Sequence, residues 1–148
     1  MKKILRLSIW IIGSLLLSFQ TACILEEDDS DSECNYVLCT EQFVTIMVSI
    51  EDQNQNPISL DSFEAIDMVS GADLTIPLSP SALTRIQERG IYPMVSDMSG
   101  IERNQELHVQ FRGFINGEEV ISAIYTVGAD CCHVFLISGD LQLVLELE

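Results

Sequence analysis

From residue 41 onward, apolar and polar side chains alternate with a period of two. Neighbouring side chains on an extended strand point to opposite faces, so this period specifies half-buried strands. In the stretch 43–51, Val44, Ile46, Val48 and Ile50 fall on one face, and Thr45, Met47, Ser49 and Glu51 on the other. The polar run Asp52-Gln53-Asn54-Gln55-Asn56-Pro57 then reads as a turn. Further strands are expected over 62–69 and, more briefly, 74–78, where Pro77 marks an edge or an end. Tyr92–Ser96 reads as extended, and Asp97-Met98-Ser99-Gly100 as a turn.

The clearest hairpin lies further on. Leu107, Val109 and Phe111 alternate with His108, Gln110 and Arg112, and Asn116-Gly117 suits a type I′ turn, in which both central residues take positive φ. The return strand, 118–127, is apolar on both faces and is expected inside a sheet rather than at its edge. Strands over 134–137 and 141–147, separated by Ser138-Gly139-Asp140, complete the set. Between them 79–90 breaks the alternation. Ser79 can cap, Pro80 suits a first helical turn and Gly90 can terminate, which places one short helix near 80–89. About seven strands with turns every eight to twelve residues give the expected fold class: all-β, a single antiparallel β-sandwich. The expected organisation is a signal segment 1–22, a tether 23–40 and a sandwich domain 41–148.

The first 22 residues contain no acid. Lys2, Lys3 and Arg6 precede the apolar run Leu7–Phe19, which is too short to span a bilayer, and small residues follow. That order is the pattern of a secretory signal. Gln20-Thr21-Ala22-Cys23 resembles the lipobox of bacterial lipoproteins, in which the cysteine is acylated and becomes the first residue after cleavage. Thr21, Ala22 and Cys23 fit that family, whereas Gln20 stands where an aliphatic residue is usual. The resemblance implies lipidation at Cys23 and anchoring in a membrane.

The run Glu26-Glu27-Asp28-Asp29-Ser30-Asp31-Ser32-Glu33 repels itself and has no apolar surface to bury, so it is expected to be a solvated tether. It lacks the glycine and the closing glutamate of a calcium loop. Acidic runs just after the acylated cysteine resemble the surface-export signal of Bacteroidetes-type lipoproteins. That implies the outer face of the outer membrane, with the periplasmic face as the alternative.

Without the first 22 residues, four arginines and no lysine face 23 acids, a net charge of −19. Nucleic-acid binding needs clustered cations, and a P-loop needs its lysine, so both are disfavoured. Trp10 is the chain's one tryptophan and lies in the signal, which weakens a carbohydrate-binding reading.

With Cys23 assigned to lipid, Cys34, Cys39, Cys131 and Cys132 remain, an even number suited to disulfides in an exported protein. Three connectivities exist. Strain in a bridge between adjacent residues favours joining the N-terminal pair to Cys131-Cys132 over a Cys34–Cys39 bridge beside a vicinal one. The competing use of these residues is a metal site built on Cys131, Cys132 and His133. Its spacing departs from structural zinc, and adjacent strand residues face opposite ways.

Two histidines occur. His108 falls on a polar strand face and is expected to be solvated. His133 lies near Asp130, whose carboxylate could orient its ring. Glu118 and Glu119 are neighbours on a strand and cannot flank one scissile bond. Met94 and Met98 flank Asp97, near Tyr92, and would mark a partner surface if exposed. No Gly-x-Ser-x-Gly elbow and no His-Glu-x-x-His helix is present.

The strands and turns over 43–147 resemble immunoglobulin-like and transthyretin-like sandwiches of the carboxypeptidase regulatory kind. Tyr125–Val134 with Leu136-Ile137-Ser138-Gly139 resembles a segment of small lipoproteins of the same bacterial group, which implies location and fold but no activity. The functional expectation is a non-enzymatic binding or accessory module, lipid-anchored at the outer membrane, with another envelope protein as partner and no cofactor. The alternative is a metal-binding protein or an enzyme centred on Asp130–His133.

Overall fold

The computed structural model describes residues 34–146. The signal segment 1–22, Cys23 and the acidic run 26–33 lie outside the described residues, as does Leu147 at the end of the last expected strand. The elements run β1 (Thr45–Asp52), β2 (Ser62–Asp67), α1 (Pro80–Arg89), β3 (Ile91–Ser96), β4 (Glu106–Ile115), β5 (Glu118–Ala129), β6 (Val134–Ser138) and β7 (Gln142–Leu145). They form two sheets, one of three strands ordered β3-β1-β7 and one of four ordered β2-β4-β5-β6.

Local chemistry explains most of these elements. In β1 the inward set Ile46, Val48 and Ile50 is buried, as alternation requires. The Ser79 hydroxyl caps α1 by accepting from the Ala82 N–H at 3.3 Å. Pro80 opens the helix and Gly90 closes it with φ +63°. Asn116 and Gly117 take φ of 52° and 79°, the pair of positive values a type I′ turn demands. β5 lies between β4 and β6, an interior position consistent with its two apolar faces.

Both sheets contribute to one hydrophobic core. Val48, Ile50, Tyr92 and Met94 come from the three-stranded sheet, and Phe63, Phe111, Tyr125 and Val127 from the four-stranded one. Phe63 and Tyr92 meet across the sheets with ring centroids 5.5 Å apart. Each large side chain wholly removed from water contributes about 1.5–3 kcal/mol. The Tyr92 hydroxyl donates to the Ile58 carbonyl and accepts from the Leu60 N–H, both at 2.7 Å, which fixes the segment leading into β2.

Two expectations need correction. The pairing is not antiparallel throughout: β7 runs parallel to β1, with Ser49 opposite Gln142 and Asp52 opposite Leu145. Ser138-Gly139-Asp140 therefore does not reverse the chain. It steps sideways from the four-stranded sheet to the three-stranded one while keeping direction. Gly139, at φ +123°, packs so close to the Tyr125 ring that no side chain fits between them, and the Tyr125 hydroxyl donates to the Asp140 carbonyl at 2.7 Å. The short strand expected over 74–78 does not form. Beside β2 only Asp73 makes an isolated bridge, to Ile66. The Thr75 hydroxyl accepts from the Ala65 N–H at 2.9 Å, so a side chain replaces the ladder there.

Candidate functional site at the bridged end

The two sheets bring one set of strand ends together. Thr45 of β1 lies opposite Ser96 of β3, Asp67 of β2 opposite Val109 of β4, Glu106 of β4 opposite Gly128 of β5, and Ala129 of β5 opposite Val134 of β6. Asp97, just after β3, fastens this end. One carboxylate oxygen accepts from the Val44 N–H at 2.7 Å, and the other from the Val134 N–H at 2.8 Å. A single side chain thus ties the start of β1 to the start of β6, one from each sheet.

The cysteines meet at the same end. Cys34 is bonded to Cys131 and Cys39 to Cys132, each pair with Cα atoms 5.3 Å apart. The segment 34–39 is held at both ends against the loop between β5 and β6.

Next to the bridges stand a hydroxyl, an imidazole and a carboxylate in sequence. His133 Nδ1 lies 2.9 Å from Asp97 Oδ2, and its Nε2 lies 3.0 Å from the Thr40 hydroxyl oxygen. A ring that donates from Nδ1 to Asp97 can bond the Thr40 hydroxyl at Nε2, so both ring nitrogens are engaged. The Asp97 side chain is only 9% exposed. Burial pushes its carboxyl up, but the hydrogen bonds from Val44, Val134 and His133 together outweigh burial and hold it below the ordinary value of 3.8. Asp130 is lowered chiefly by the backbone N–H of His133 and then by that of Cys132, which its Oδ1 accepts at 2.8 and 2.7 Å. Asp97, Asp130, His133 and Arg103 line an open cleft of about 210 Å³.

The carboxylate that orients His133 is therefore Asp97 and not Asp130, which instead closes the tight turn 130–133. With Cys131 and Cys132 bonded, neither offers a thiolate, and the metal set Cys131, Cys132 and His133 does not form. Among the described residues no group of three His, Cys, Asp or Glu side chains is arranged to hold a metal ion. His108 is exposed, with Nδ1 3.3 Å from the Thr126 hydroxyl. Glu119 pairs with Arg112 at 2.8 Å, while Glu118 stays exposed. Tyr92 and Met94 are fully buried, but Met98 is 82% exposed. Asp97 and Thr40 were not legible as partners of His133. They lie 36 and 93 residues from it in sequence, one inside a turn motif and the other in the expected tether.

No protein-family model, curated protein or solved structure matches the chain.

Proposed function

We propose that this protein is an exported, lipid-anchored β-sandwich of immunoglobulin-like or transthyretin-like kind. It would serve as a non-enzymatic binding or accessory module for another envelope protein at the outer-membrane surface. One observation carries the reading. All four cysteines among the described residues are paired with one another, which leaves Cys23 of the sequence with no cysteine partner in the chain. Paired cysteines suit an oxidising compartment, and a lone cysteine after a basic–apolar segment suits acylation. The core shared by the two sheets supports the sandwich.

The non-enzymatic reading is preferred over an enzyme at Asp130–His133. A hydroxyl–imidazole–carboxylate relay acts on acyl groups when nearby N–H groups can hold the developing oxyanion. Here the N–H groups of Cys132 and His133 are engaged by Asp130, and that of Val134 by Asp97. The relay instead fastens the tether side of the molecule to the strand ends.

Changing Cys23→Ser tests the anchor. The variant should leave the membrane fraction and lose its acyl-labelled mass; retention of a correctly exported variant would overturn the reading. Protease treatment of whole cells separates the two leaflets, since only a surface-exposed domain is degraded.

A further inference from the structure

We propose that the bridged end of the domain seats on the bilayer that carries the anchor, with Tyr36, Leu38, Phe43, Val69 and Met98 entering its interfacial layer. The inference rests on lipidation of Cys23. Tyr36 and Leu38 are each 96% exposed, Met98 82%, Val69 81% and Phe43 75%. One exposed apolar side chain is ordinary, but a contiguous set marks a contact surface. These five come from three separate segments, 36–43, 68–71 and 97–100, which the strand register brings to one end. The turns at the opposite end, Gln53-Asn54-Gln55-Asn56 and Asn116-Gly117-Glu118-Glu119, are polar or glycine. The turn tips are thus apolar at one end and polar at the other, where the exposed apolar side chain is Val144 on the edge strand β7.

The fold also enforces the exposure. Bridges at Cys34 and Cys39 hold both ends of the segment, so Tyr36 and Leu38 cannot fold back onto the core. Asp97 at this end faces inward, onto backbone N–H groups and His133, while the exposed Asp130 is engaged by the N–H groups of Cys132 and His133.

Chain length and chemistry together select the bilayer as the occupant. Cys34 follows Cys23 by eleven residues. At ~3.3–3.6 Å per residue the link reaches at most about 40 Å, so this end of the domain is the one held near the membrane. A tyrosine with aliphatic and aromatic neighbours suits the boundary between headgroups and acyl chains. Among the described residues Arg103 is the one arginine at this end, and exposed Glu41, Glu102 and Glu106 lie near the apolar set, so seating should not require anionic lipid and should weaken on it.

The test uses the mature lipidated protein in phosphatidylcholine vesicles. Trp10 is removed with the signal, so a single introduced tryptophan reports alone. Leu38→Trp and Met98→Trp should each show blue-shifted emission that brominated phosphatidylcholine quenches. Gln53→Trp, at the polar end, should show neither. Adding Tyr36→Ser to Met98→Trp should reduce the quenching at residue 98. If the protein floats with the vesicles while residues 38 and 98 are as water-exposed as residue 53, the seating is wrong and the anchor stands. Blue shift without bromine quenching would mean a protein contact and would also overturn the seating. A protein that does not float overturns the anchor and the seating together.

Discussion

Asp97 concentrates several jobs in one carboxylate. It accepts two backbone N–H bonds from different sheets and a third from His133. Hydrogen bonds to a charged group are each worth more than neutral ones, and removing one partner leaves a half-buried donor unpaired. Asp97→Asn should therefore lower stability by about 1–3 kcal/mol in urea unfolding at neutral pH. The pH dependence has a definite sign. The folded carboxyl titrates below its ordinary value of 3.8, so its contribution is fully present above that pH and is lost as acid protonates it. The urea midpoints of wild type and Asp97→Asn should thus converge as the pH falls below 3.8. Tyr92 is a second such residue, buried with its hydroxyl between Ile58 and Leu60. Tyr92→Phe should cost about 1–3 kcal/mol, because it leaves a buried N–H and a buried carbonyl without a partner. Thermal unfolding would read this directly.

At the scale of elements, the decisive feature is the link between β6 and β7. Gly139 has a backbone angle that side chains rarely adopt, and a methyl there would collide with the Tyr125 ring. At Gly117, in the hairpin turn, φ is also positive but the surrounding space is open. Both Gly→Ala changes strain the backbone, and only Gly139→Ala adds a clash worth about 1–3 kcal/mol. Gly139→Ala should therefore lower the melting temperature clearly more than Gly117→Ala; equal losses would mean that Tyr125 yields freely. Helix α1 was readable because its stop and start signals are local: a serine cap, a proline in the first turn and a terminating glycine. The missing strand at 74–78 was not, because the Thr75 side chain takes over a hydrogen bond that a sheet neighbour would otherwise make.

For the whole molecule, the bridges do what local structure cannot. Cys34–Cys131 joins residues 97 apart in sequence and Cys39–Cys132 residues 93 apart. Cys39–Cys132 still closes the long loop when Cys34–Cys131 is removed, so Cys34→Ser with Cys131→Ser opens only the small ring between the bridges and should cost about 2 kcal/mol. Denaturant unfolding of that double variant under oxidising conditions would measure it. A loss near zero would show that the remaining bridge and Asp97 already fix the end. The same fastening decides which side chains face outward there, and hence what the bridged end can touch.

The two-residue period by itself pointed to the strands at 43–51, 62–67, 92–96, 107–111, 118–127 and 134–137, and in β1 to the positions that face inward, because these follow from local geometry. An even cysteine count after Cys23 likewise made pairing an expectation in the sequence. Only the tertiary structure decided that β7 lies parallel to β1, that each cysteine of one pair meets a particular member of the other, and that Asp97 and Thr40 flank His133. Those choices depend on contacts between residues far apart in the chain. Their energies come from burial, from close approaches such as Gly139 against Tyr125, and from hydrogen bonds that exist once both sheets share a core.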